Sequence, residues 1–152
     1  MNAPSVIRVA AAVVLDAEGR MLVVRKRRTA TFMQPGGKIM PGETAVNAVR
    51  REVAEELGVA ATSVRPLGRQ VAEAANEPGH TVDAELFLVS LAGQPCAAAE
   101  IDEIAWVDPA APGDIDLAPL TELLMDVGLI HAGRDDQTRR DGDRGGQPDG
   151  RA

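Results

Sequence analysis

A glycine-rich turn that runs straight into a helix crowded with carboxylates, residues 36–59, constrains this chain more than any other stretch. Pro41-Gly42 reads as a turn. Val46, Val49, Val53 and Leu57 then recur at spacings of three, four and four, which is one face of an α-helix. Gly58 stops that helix, as a glycine just past the last apolar residue does. On the polar side Glu52, Glu55 and Glu56 stand at i, i+3 and i+4. At roughly 100° per residue they fall within about a third of the circumference, opposite or flanking the apolar stripe. Like charges at these spacings repel by roughly 0.2–0.5 kcal/mol per pair, and at a helix C-terminus they also oppose the dipole. A solvated acidic face is the ordinary explanation of such a helix. The adjoining glycine turn and the Arg51-Glu52 pair favour a divalent cation instead, because hard cations such as Mg²⁺ prefer oxygen ligands and turn the repulsion into attraction.

The same residues carry a resemblance. Gly37, five residues, Glu43, seven residues, and then Arg51, Glu52, Val53, Ala54, Glu55, Glu56, Leu57, Gly58 and Val59 fill every fixed position of a pattern similar to the complete Nudix box, G-x5-E-x7-R-E-U-x-E-E-x-G-U with U apolar. The flanking segments resemble the Nudix fold over about residues 5–130. The resemblance implies hydrolysis of a nucleoside diphosphate linked to another moiety, with Mg²⁺, or Mn²⁺ in its place, as cofactor. It implies a metal site made of Glu52, Glu55, Glu56 and a backbone carbonyl at Gly36 or Gly37, Gly37 being the choice carried forward. Glu52 or Glu55 doubles as general base. Arg51 orients a carboxylate and Glu43 braces the turn. The turn Gln34-Pro35-Gly36-Gly37-Lys38 is similar to that of MutT-like members, which cleave nucleoside triphosphates. An ADP-sugar or other NDP-X hydrolase is the alternative within the family, and a nucleotide sensor without catalysis is the alternative outside enzymology. The retained carboxylates favour the hydrolase over the sensor.

Charge and composition narrow the partners. The chain of 152 residues is long enough for one domain with a real core, and its hydrophobic content of 45% is that of a globular protein. Net charge is −7; residues 131–152 hold five arginines and five aspartates, so the domain before them carries all of it. Such a domain is a poor polyanion binder, which argues against long nucleic acid and for metal ions between an acidic site and a phosphate substrate. No apolar run is long enough for a membrane span and no signal peptide is evident at the start, so no membrane partner is expected. A single cysteine, Cys96, excludes an internal disulfide framework and suits a reducing, cytoplasmic setting. A homodimer is an association made from the family alone.

The order of elements gives an α/β class. Residues 6–15 and 21–24 read as two strands of a hairpin, residues 64–75 and 81–91 as two more, and 100–107 as an acidic loop running into a short strand. An amphipathic helix over 117–130, capped by Asp116, is expected to cover the sheet opposite the carboxylate helix. The sum is an α/β/α sandwich with a mixed β-sheet. Domain 1–130 is followed by a tail, 131–152, with no apolar residue larger than alanine, which is expected to be disordered. Arg25, Lys26, Arg27 and Arg28 lead into the glycine turn. They are either a solvated loop or a phosphate contact, with Arg25, Arg27 and Lys38 the substrate-binding candidates. Glu103, or Glu100, is the candidate to complete the metal site from the acidic loop, as the resemblance implies. His80 has no Cys or His partner and makes no zinc site. Phe32, Phe87 and Trp106 are the whole aromatic set, so base stacking is limited and weak base selectivity is expected.

Overall fold

The protein, seen in a computed structural model, is described over residues 5–126. In chain order its elements are β1 (Ser5–Val13), β2 (Met21–Lys26), β3 (Phe32–Met33), β4 (Gly36–Lys38), α1 (Ala45–Leu57), β5 (Ala61–Glu73), β6 (His80–Leu91), β7 (Ile101–Val107) and α2 (Pro119–Asp126). The tail expected to be disordered, and the last turn of the second expected helix, lie outside the described residues.

Alternation along the apolar strands divides the core in two. Successive side chains of a strand point to opposite faces. Ala10, Ala12, Leu22, Val24, Phe87 and Val89 therefore pack against Ala48, Val49, Val53 and Leu57 of α1. Their neighbours Ala11, Val13, Met21, Val23, Leu86 and Leu88 pack with Leu120 and Leu124 of α2. One helix covers each side, so the α/β/α sandwich is the fold observed. The middle layer is two sheets that share both cores. One is mixed, in the order β4-β1-β6-β5, with β1 parallel to β6; the other, β3-β2-β7, is antiparallel.

Three expectations change. The strands read as a hairpin, β1 and β2, are joined by a tight turn but lie in different sheets, and among the described residues their backbones pair at the bridge between Leu15 and Met21 alone. Both edges of β1 are already taken, by β4 and β6. In α1 the buried face is Ala48, Val49, Val53, Glu56 and Leu57, whereas Val46, in the first turn, is exposed. Glu56 thus stands inside the apolar face rather than beside it. Asp116 does not cap α2. Its carbonyl accepts the Phe32 N–H, and Ala118 donates to the Phe32 carbonyl. That strap holds residues 116–118 extended, and the helix starts at Pro119, whose locked φ and missing N–H suit a first helical position.

Candidate active site

The carboxylate helix is held at both ends. Thr44 caps its start by accepting the Asn47 N–H through Oγ1, and Gly58 ends it in the left-handed region at φ 68°. The loop before β7 then reaches back: Cys96 and Ala98 donate their N–H groups to the Leu57 and Glu56 carbonyls. Such bonds satisfy carbonyls that a helix C-terminus leaves open.

Against this fixed helix lies the glycine segment, which is not a free turn but strand β4, paired with β1. Gly36 donates its N–H to Glu56 Oε1 at 2.7 Å. It has φ 151°, and a Cβ there would run into the Ala10 carbonyl of the neighbouring strand. A Cβ at Gly37 would sit 2.6 Å from the Glu52 carboxyl group. Gly36 therefore lies against β1, and Gly37 leaves room for the Glu52 carboxyl group, only because neither has a side chain.

Arg51 ties the turn to the helix. Its Nε and Nη2 donate to the two oxygens of Glu43, each at 2.9 Å, and its Nη1 donates to Glu52 Oε1 at 2.6 Å. Nη2 also donates to the Lys38 carbonyl at 3.1 Å. Glu55 lies farther out, 3.7 Å from Nη1. The electrostatics follow. The Arg51 bonds, with the Met40 N–H, hold Glu43 down at a pKa of about 2. Glu43 and Glu52 push the Arg51 guanidinium further up. Burial raises Glu56 to about 7; the charges of Glu52 and Glu55 add to the rise, while the Gly36 N–H and Lys26 oppose it.

The three acids are graded in exposure: Glu56 is buried, the Glu52 side chain is 17% exposed and that of Glu55 56%. Among the described residues no three acidic, histidine or cysteine side chains converge on a point that could hold a metal ion. Glu56 is turned to Gly36, Glu52 to Arg51, and Glu55 to solvent. The donors nonetheless suit a hard cation in kind, since all are carboxylate oxygens beside a turn cleared of Cβ atoms.

The remaining candidates separate. Arg25 lies in β2 and not in a loop. It donates to the Thr29 carbonyl at 3.0 Å, to Asp102 at 2.8 Å and to Glu103 at 3.2 Å, and its guanidinium lies over the Phe32 ring. Asp102 and Glu103 belong to β7 itself. Glu103 is thus brought to Arg25. Arg27 exposes its side chain and fixes only its backbone, donating to the Glu100 carbonyl. Lys38 is exposed, with its Nζ 3.7 Å from Glu77.

A cleft of about 170 Å³ opens beside the glycine turn on the α2 side, and Lys26, Gln34, Gly36, Gly37, Lys38 and Thr121 are among its walls. In the sequence Lys26 reads as part of the basic cluster without standing out, and the hydrogen-bonded pair Gln34 and Thr121 does not read as part of the site. Pairing between β2 and β7 shifts between Arg25 and Lys26. Such a bulge re-aims a side chain and leaves no mark in a sequence.

Comparison with known proteins agrees with this fold. The family model described as NUDIX domain matches residues 6–124. An uncharacterized Nudix hydrolase of Bacillus subtilis (strain 168), YvcI, is 28% identical over 130 residues, covering 78% of this chain and 80% of its own length. Among solved structures, a MutT NUDIX hydrolase from Burkholderia pseudomallei superposes with a TM-score of 0.70 at 22% identity, over 80% of this chain and 97% of its own. The E. coli ORF135 protein does so with a TM-score of 0.63 at 25% identity, over 90% and 94%.

Proposed function

Starting from a chain that belongs to the Nudix family of hydrolases, we propose that it is a Mg²⁺-dependent, MutT-like pyrophosphohydrolase of nucleoside triphosphates with weak base selectivity. The observation that carries this reading is the setting of Glu56 against Gly36 and of Glu52 against Gly37, two glycines that also line the cleft, with Arg51 gripping Glu52.

In this reading Glu52, Glu55 and Glu56, with the Gly37 carbonyl and Glu103, would hold the cation. When bound, the ion neutralises phosphate oxygens and lowers the pKa of water beside it. Arg51 orients Glu52, and Glu43 fixes Arg51. Glu55, the most exposed of the three, or Glu52 takes a proton from the attacking water. The water oxygen bonds to phosphorus, the phosphoanhydride bond breaks, and the negative charge leaves on diphosphate or on the nucleoside monophosphate. Lys26 takes the phosphate-facing role first given to Arg25 and Arg27, because Lys26 lines the cleft whereas Arg25 is held by two acids. No aromatic ring is among the cleft's lining residues, which keeps base selectivity weak.

The test is release of phosphate or diphosphate from a nucleotide panel with Mg²⁺, for wild type and Glu55→Gln. Turnover that falls by about 10²–10⁴ in the variant is expected. Tight nucleotide binding without turnover of any member would overturn the hydrolase in favour of a sensor.

A further inference from the structure

An open sheet ends in strands whose outer N–H and C=O groups have no partner within it, and proteins guard such edges with proline, bulges or charge. β5 is the outer strand of the mixed sheet, and at 13 residues it is a long one. Among the described residues no strand pairs with its outer side. Its first half is guarded. Pro66 lacks an N–H, and the register with β6 shifts between Pro66 and Gly68. The second half has neither device. Pairing with β6 runs from Gly68 to Glu73 without a shift, and no proline interrupts it.

Alternation puts Arg69, Val71 and Glu73 on one face of this second half, together with Asp83 and Glu85 of β6. It is the α1 side of the sheet, at the end where the helix leaves Val71 60% exposed. Arg69 donates to both oxygens of Asp83, from Nε at 3.1 Å. Glu73 is exposed and makes no hydrogen bond or ion pair among the described residues.

The order of these side chains selects a partner. An edge lined with one sign of charge repels a copy of itself. A basic, an apolar and an acidic residue at i, i+2 and i+4 do the opposite when a second copy runs antiparallel. With Val71 opposite its own copy, Arg69 of each chain faces the partner's Glu73, and the two exposed valines cover each other. Opposite-charge and apolar pairs directly across an antiparallel ladder are the stabilising ones. The same patch serves both chains, as a two-fold interface requires.

We propose that residues 69–73 are a docking edge for a second copy of this chain, paired antiparallel about a two-fold axis at Val71, so that two four-stranded sheets become one. One pair of short strands makes a small contact, of the kind that forms and parts with concentration. Ala74 to Glu77 continue β5 into the wall of the cleft, so the pairing braces that wall.

The experiment follows the mass of the full chain by sedimentation over a concentration series. It uses wild type, Glu73→Arg, Arg69→Glu and an equal mixture of the two variants, with thermal melting to show that each is folded. Wild type is expected to rise from one chain toward two. Either variant alone sets like charges opposite each other and should associate at least about tenfold more weakly. The mixture restores both opposite-charge pairs and should associate close to wild type. Wild type that stays a single chain up to its solubility limit overturns the proposal. So does association that Glu73→Arg leaves unchanged, which puts the contact elsewhere on the surface; that comparison decides even if Arg69→Glu, without its bonds to Asp83, does not fold. Two folded variants that associate no better together than apart overturn the antiparallel register and the proposal with it.

Discussion

Two carboxylates of the same box respond to pH in opposite directions, and the reason is where each one sits. Glu56 is buried, with a folded pKa of about 7 against an ordinary 4.5. Between those values the folded chain holds a proton that the unfolded chain has lost, so stability falls as pH rises through the window. The shift corresponds to on the order of 3 kcal/mol. In chelator-treated protein, Glu56→Gln is expected to raise the urea midpoint at pH 8 and to leave it nearly unchanged at pH 5, where Glu56 is already neutral. Glu43 is the reverse case. Arg51 holds it at about 2 against 4.5, so its contribution is complete above pH 4.5 and is lost as pH falls toward 2. The gap in stability between wild type and Glu43→Gln should narrow over that acid range; a constant gap would mean that the Arg51 clamp does not depend on the Glu43 charge. The identity of these acids was legible in the spacing of the box. Their burial was not, because a helical wheel orders residues by angle and does not say how deep the sheet lets each one go.

At the scale of elements, the turn and the strap decide how α1 meets the sheets. The two turn glycines should fail differently. Gly36→Ala drives a Cβ into the Ala10 backbone at a left-handed φ and should destabilise by about 2 kcal/mol or more. Gly37→Ala meets only the movable end of Glu52. It should melt close to wild type while losing tenfold or more of Mg²⁺-dependent turnover, the scale of an oriented ligand disturbed. Equal losses of stability in the two variants would contradict this division. The strap from Cys96 to Ile101 carries Ala99 at φ 51°, which costs a residue with a side chain more than it costs glycine. Ala99→Gly should therefore raise the unfolding free energy by about 0.5–1 kcal/mol, measurable by urea titration. Helix α1 was legible down to its glycine stop. Helix α2 was placed on the correct face but two residues early, because the Phe32 strap that delays it is a contact between segments more than eighty residues apart.

For the whole molecule, one helix on each side of the strands makes two cores that meet only through the sheets, and Leu124, fully buried in the core under α2, tests that side. Leu124→Ala should lower stability by about 2–5 kcal/mol. Because Ala11 and Leu120 of that core also line the cleft, its loosening should reach the cleft before it reaches the box. By itself the sequence determined the class of fold and the chemistry of the box. Period-two and period-3.6 apolar patterns are local, and the spacing of Gly37, Glu43, Arg51, Glu52, Glu55 and Glu56 lies within one turn-helix unit. Only the tertiary structure decided which basic residue faces the cleft, that β1 and β2 part into separate sheets, that Arg25 binds Glu103, and that Gln34 meets Thr121. Each of these depends on pairing between distant segments, where a one-residue bulge or an occupied strand edge changes the outcome, and no local pattern in a chain records either.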